Sequence, residues 1–139
     1  MDDVVGVLGA GEMGAGVAEA TAEAEYRVVL VDVSQDALDT ARSAIRRSRA
    51  ARLLLSGGDW SDVLERIAFS TDYRLLRDAH VVVENVTEDV AVKRAAHRRI
   101  DELCRGDALV AANTSAIPIA VLAKGHRPPR TRRGESHER

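Results

Sequence analysis

The apolar run Val4-Val5-Gly6-Val7-Leu8 leads without a break into Gly9-Ala10-Gly11-Glu12-Met13-Gly14. From Met13 onward apolar residues recur at helical spacing, through Val17, Ala20 and Ala24. A short apolar run reads as a strand buried on both faces, and the change to a longer period reads as an amphipathic helix. A second apolar run, Val28 to Val31, ends in Asp32, 18 residues after Gly14. A G-x-G-x-x-G turn with a strand before it, a helix after it and an acid closing the next strand fits a βαβ unit with parallel strands. Gly9 permits the tight turn, Gly11 lets a pyrophosphate approach the backbone, and Gly14 lets the helix pack closely. The free N–H groups of the helix start, at Glu12 and Met13, and its partial positive charge suit phosphate. Asp32 is placed to accept hydrogen bonds from ribose hydroxyls and to repel a 2′-phosphate. Val33-Ser34 beside it offers no Arg, so NAD is expected over NADP. The competing reading is a glycine-rich turn that holds no ligand.

The rest of the chain repeats the alternation. Ser34 is placed to cap a helix whose buried stripe is Leu38, Ala41 and Ile45. That helix turns basic at Arg42, Arg46, Arg47, Arg49 and Arg52 and is expected to stop by Gly57-Gly58. Asp59 or Ser61 starts a shorter helix, Ile67 to Phe69 reads as a third strand and Val81 to Val83 as a fourth. Thr87 is expected to cap the next helix, with Glu88 and Asp89 in its first turn, a stripe of Val92, Ala96, Ile100 and Leu103, and an end at Gly106. Leu109 to Ala112 is a fifth strand, followed by Asn113-Thr114-Ser115 and a short helix, Ile117 to Ala123. This order predicts an α/β fold, a Rossmann-type doubly wound parallel sheet forming a single, incomplete dinucleotide-binding domain over residues 1–124. Residues 125–139 carry Pro128-Pro129 and five Arg and no apolar side chain, and are expected to form a solvated, disordered tail.

Composition removes several alternatives. With 45% hydrophobic residues in 139, the chain is long and apolar enough for one core and too short for two domains. No apolar run reaches the roughly 20 residues that span a bilayer. The single cysteine, Cys104, makes no internal disulfide, and a cytoplasmic setting is the default. A formal net charge of −2 and four aromatic residues argue against nucleic-acid binding through the Arg-rich segments. No metal site is expected.

The Val5-to-Gly14 segment, the Val31-Asp32 strand end, Val83-Glu84-Asn85-Val86-Thr87-Glu88-Asp89 with Lys93 beyond it, and Asn113-Thr114-Ser115 together resemble the NAD-binding domain of the 3-hydroxyacyl-CoA dehydrogenase family. The resemblance covers residues 4 to about 123. It implies that Glu88 and Lys93 lie along the NAD cofactor near its nicotinamide ribose. It also implies that Asn113 and Thr114 line that pocket, and that Ser115 sits by the nicotinamide and the substrate hydroxyl as an auxiliary catalytic residue. On their own, Glu88 and Lys93 read as a helix-start acid and a solvated base, and Ser115 as a helix cap. Asn85 and Thr87 stand where the family commonly has a small residue and a proline.

The resemblance implies an oxidoreductase of fatty acid metabolism that oxidises a 3-hydroxyacyl group, carried on coenzyme A or an acyl carrier protein, using NAD. The family's general base is a histidine in a His-Phe-x-Asn-Pro segment, held by a glutamate and closed over by a helical C-terminal domain. These features are not found in the 139 residues, and His137 has none of the expected neighbours. His80 and His97 read as a strand-edge and a helix-surface residue. The expectation is a truncated or split enzyme whose C-terminal domain is supplied separately, with this chain inactive by itself. A non-catalytic NAD-binding or partner-binding module is the alternative.

Overall fold

The computed structural model describes residues 3–57 and 61–112. Five strands form one sheet in the order β3-β2-β1-β4-β5: β1 (Val4–Leu8), β2 (Arg27–Val31), β3 (Ile67–Ser70), β4 (Val81–Glu84) and β5 (Leu109–Ala112). Every neighbouring pair is parallel, with Val7 opposite Leu30 on one side and Val83 on the other. The chain winds outward from β1 to β3, then crosses back to β4 and winds the other way. The strand order therefore reverses between β1 and β4, and the ends of those strands open a crevice.

Side-chain alternation along the strands builds two cores. Val7, Val28 and Leu30 face α1 (Glu12–Glu23), α2 (Gln35–Ser56) and α3 (Ser61–Glu65), where Leu38, Ala41, Ile45 and Val63 join them. Leu8, Val31 and Val82 face the other way, onto α4 (Val90–Leu103) and a 3-10 helix, Tyr73–Asp78, meeting Leu76, Ala79, Ala96 and Ile100. That 3-10 helix, between β3 and β4, carries no apolar period and went unpredicted. Its Leu76 carbonyl accepts a 3.3 Å hydrogen bond from the thiol of Cys104, which follows α4. Burial pushes that thiol up to about 11, with Asp101 adding to the shift.

Three local expectations need correction. The buried face of α1 is Gly14, Ala15, Ala18 and Ala22; Ala20 and Ala24 are exposed and Met13 is 64% exposed. Thr87 does not cap α4. Asp89 does, its Oδ1 accepting from the Val92 N–H at 3.0 Å, so Glu88 and Asp89 precede the first turn. The stripe of α4 is Lys93, Ala96, His97 and Ile100, with Val92 exposed, and the helix ends at Leu103 before Gly106. Ser34 caps α2 as expected, accepting from Ala37 at 3.1 Å, and Gly57 ends it at a φ of +65°. On α2, buried Arg49 donates from Nε to Glu19 at 2.7 Å and clasps α1 to α2. Asn113, Ser115, the Ile117–Ala123 helix, His137 and the 125–139 tail lie outside the described residues.

Candidate functional site

The turn after β1 is fixed from both sides. The Gly9 N–H donates to the Val31 carbonyl at 2.8 Å and the Asn85 N–H to the Leu8 carbonyl at 2.7 Å. Gly9 takes a φ of +100°, and a Cβ there would stand 2.8 Å from the backbone of Asn85, so two considerations demand glycine. A Cβ on Gly14 would fall 1.8 Å from the Gly9 carbonyl oxygen. Gly14 therefore packs on the turn itself. Gly11 is different: a Cβ there meets nothing within 4 Å. The space above it is open, as a phosphate approaching the backbone requires, and the first N–H groups of α1 have no intrahelical acceptor. Glu12 and Met13 sit exposed at this lip.

Asp32 terminates β2 within reach of the turn. Its Oδ2 accepts from the Ala10 N–H at 2.7 Å and its Oδ1 from the Ser34 N–H at 2.8 Å. The carboxylate thus locks the glycine turn to the β2–α2 loop and keeps acceptor capacity on both oxygens. From here a cleft of about 770 Å³ runs along the strand ends, lined by Gly9, Gly11, Asp32, Val33, Asn85, Val86, Thr87 and, on the far wall, Tyr73, Val92, Ala95 and Arg99. The Arg99 guanidinium lies 4.8 Å from the centre of the Tyr73 ring. Burial and the Asp32 charge raise the Tyr73 phenol above its ordinary pKa, against the opposing pull of Arg99.

Glu88 and Lys93 are separated by burial. Glu88 is exposed, whereas Lys93 is fully enclosed, which overturns its reading as a solvated base. The Lys93 Nζ lies 2.9 and 3.2 Å from the two oxygens of Glu84, itself fully buried, and 3.7 Å from Glu88. Glu84 also accepts from the Val86 N–H at 2.7 Å, and its second oxygen meets Nε2 of His97 at 3.0 Å. Burial alone drives the Glu84 carboxyl up, but hydrogen bonds from His97, Lys93 and Val86 outweigh it and hold it below the ordinary range. His97 is thus a buried residue and not one of the helix surface. The spacing Lys93, Ala96, His97, Ile100 is that of one helix face, and would have marked this cluster had charged residues been admitted to the stripe.

A doubly wound parallel sheet with a phosphate-ready turn at its switch point and an acid on the next strand defines a dinucleotide-binding α/β domain. The family model for the 3-hydroxyacyl-CoA dehydrogenase NAD-binding domain matches residues 4–134. The chain belongs to the 3-hydroxyacyl-CoA dehydrogenase family, and NAD is its cofactor. It is 36% identical over 122 residues to a 3-hydroxyadipyl-CoA dehydrogenase of Escherichia coli, covering 86% of this chain and 26% of that one. It is 34% identical over 131 residues to a 3-hydroxybutyryl-CoA dehydrogenase of Mycobacterium tuberculosis, covering 90% and 45%. The crystal structure of an E. coli 3-hydroxybutyryl-CoA dehydrogenase superposes with a TM-score of 0.87 at 32% identity, over 93% of this chain and 28% of that one. The chain spans less than half the length of these relatives. No helix among the described residues is long and apolar enough to cross a membrane.

Proposed function

We propose that this chain holds NAD along the strand-end cleft, with adenosine at Asp32 and pyrophosphate over Gly11, as the cofactor half of a 3-hydroxyacyl thioester dehydrogenase. The observation that carries the reading is the open backbone at Gly11 beside the Asp32–Ala10 lock, an arrangement that leaves room for phosphate and an acceptor for ribose. When bound, NAD accepts hydride from the substrate's C3. The chain's own residues orient it: Gly9 and Gly14 shape the turn, the N–H groups of Glu12 and Met13 face the pyrophosphate, and Glu88 stands nearest the nicotinamide ribose. Lys93 positions Glu88 from beneath. Asn113 and Ser115 are assigned by motif match alone, Ser115 beside the substrate hydroxyl as an auxiliary group.

The same reading places the substrate among acyl thioesters and the protein in the cytoplasm, where the free thiol of Cys104 is at home. It places the general base and the acyl-binding surface on a C-terminal domain. Titration calorimetry of the purified chain with NAD, followed by an NADH assay with 3-hydroxybutyryl-CoA, tests it. NAD binding without turnover is expected, with turnover appearing when a relative's C-terminal domain is added. A chain that binds no NAD, or one that turns over unaided, refutes it.

A further inference from the structure

We propose that Arg99, laid over the Tyr73 ring, is the stacking surface for the adenine base and so a cofactor-binding residue of this cleft. The inference rests on the NAD-binding reading and deepens it. Asp32 marks the adenosine ribose, so the base attached to that ribose enters the part of the cleft beside Asp32. One wall there is Val33, 78% exposed and free to offer its side chain. The facing wall is the helical row Val92, Ala95, Ala96 and Arg99, all cleft-lining. Two alanines leave a slab of room, and Arg99, one turn further on, closes it.

A guanidinium is planar, weakly hydrated and suited to stacking on aromatic rings, and a purine presents such a face. The Tyr73 ring, 4.8 Å from the guanidinium carbon, already holds Arg99 in place. Part of the rotamer entropy of ordering a long side chain is therefore spent before the base arrives. Tyr73 is set by the 3-10 helix next to Asp32, so the ribose and base contacts belong to one rigid corner. An exposed arginine on a helix otherwise reads as a solvated charge. Its position over an aromatic ring inside the cleft separates it from Arg98, the neighbouring exposed residue.

The test measures NAD and ADP binding to the 139-residue chain and to its Arg99→Ala and Arg99→Lys variants by calorimetry. Arg99→Ala is expected to weaken both ligands equally, by about tenfold, the usual effect of removing a base-stacking group. Arg99→Lys keeps the charge but loses the plane, and is expected to resemble the alanine variant. Full binding by Arg99→Lys would make the residue a simple charge and overturn the proposal. So would an undiminished Arg99→Ala, or a loss seen for NAD and not for ADP. If the unmodified chain binds NAD in those cases, the cofactor reading stands and only the stacking role falls. If it binds neither ligand, both fall. An exposed side chain is a mild substitution for the fold, and equal ligand-free melting temperatures confirm that binding alone has changed.

Discussion

Glutamine in place of Glu84 leaves Lys93 fully enclosed with its main counter-charge gone. Breaking a buried pair by removing one partner destabilises by about 3–5 kcal/mol, because the remaining charge is uncompensated. The Glu84→Gln deficit is therefore expected to be about 3–5 kcal/mol at pH 7. Replacing both partners, as Glu84→Gln with Lys93→Met, removes the stranded charge and is expected to recover most of the loss. Urea unfolding of the parent, Glu84→Gln and the double variant at pH 7 measures all of this. A Glu84→Gln deficit below about 1 kcal/mol would show that Glu88 or water takes over the charge of Lys93 and that the buried pairing with Glu84 is not what holds it.

Three further outcomes are expected. Gly14→Ala sets a methyl 1.8 Å from the Gly9 carbonyl oxygen, so the turn must open; NAD binding should vanish and the melting temperature fall, and a calorimetric titration indistinguishable from the parent would contradict it. Asp32→Ser should weaken NAD by about 1–3 kcal/mol, the range for charge-assisted hydrogen bonds, while NADP weakens less or improves; paired titrations of both cofactors decide it. Glu84, held below its unfolded value of 4.5, contributes stability that is fully present above that pH and is lost as pH falls through its native value. The acid limb of the urea midpoint should accordingly be shallower in Glu84→Gln than in the parent.

Most of the fold was legible because its periods are clean. Val4–Leu8, Val28–Val31 and Val81–Val83 carry the branched apolar residues of buried strands, and their order with the intervening helices gives the winding. The face of α1 was not legible. With alanine at so many positions, its apolar residues go nearly all round, and the side turned inward is decided by the contact of Gly14 with Gly9, which no periodicity records. The start of α4 was misplaced because Thr87 and Asp89 are both good caps two residues apart, and only the Asp89 carboxylate meets the Val92 N–H. The glycine turn after β1 and the Asp32 carboxylate beside it could be placed from spacing alone. Lys93 and His97 could not be placed inside, since charge normally marks the surface; what reverses the rule is Glu84, a carboxylate at a strand end that both can reach. Tyr73 and Arg99 come from distant parts of the chain and meet only through the packing of the 3-10 helix on α4.

Cys104 is the sole thiol in the chain, and its position turns it into a clock. Thiol reagents attack the thiolate, and a group titrating at about 11 supplies about a hundredfold less of it at neutral pH than an ordinary cysteine. The sulfur also donates to the Leu76 carbonyl and takes part in the core beneath α4. Modification is therefore slowed while the end of α4 rests on the 3-10 helix. The labelling half-time of the native protein then tracks how firmly those two elements stay together, with no probe introduced and no second cysteine to confuse the count. Because the same two elements carry Tyr73 and Arg99, a dinucleotide seated between them should slow the clock in proportion to its occupancy.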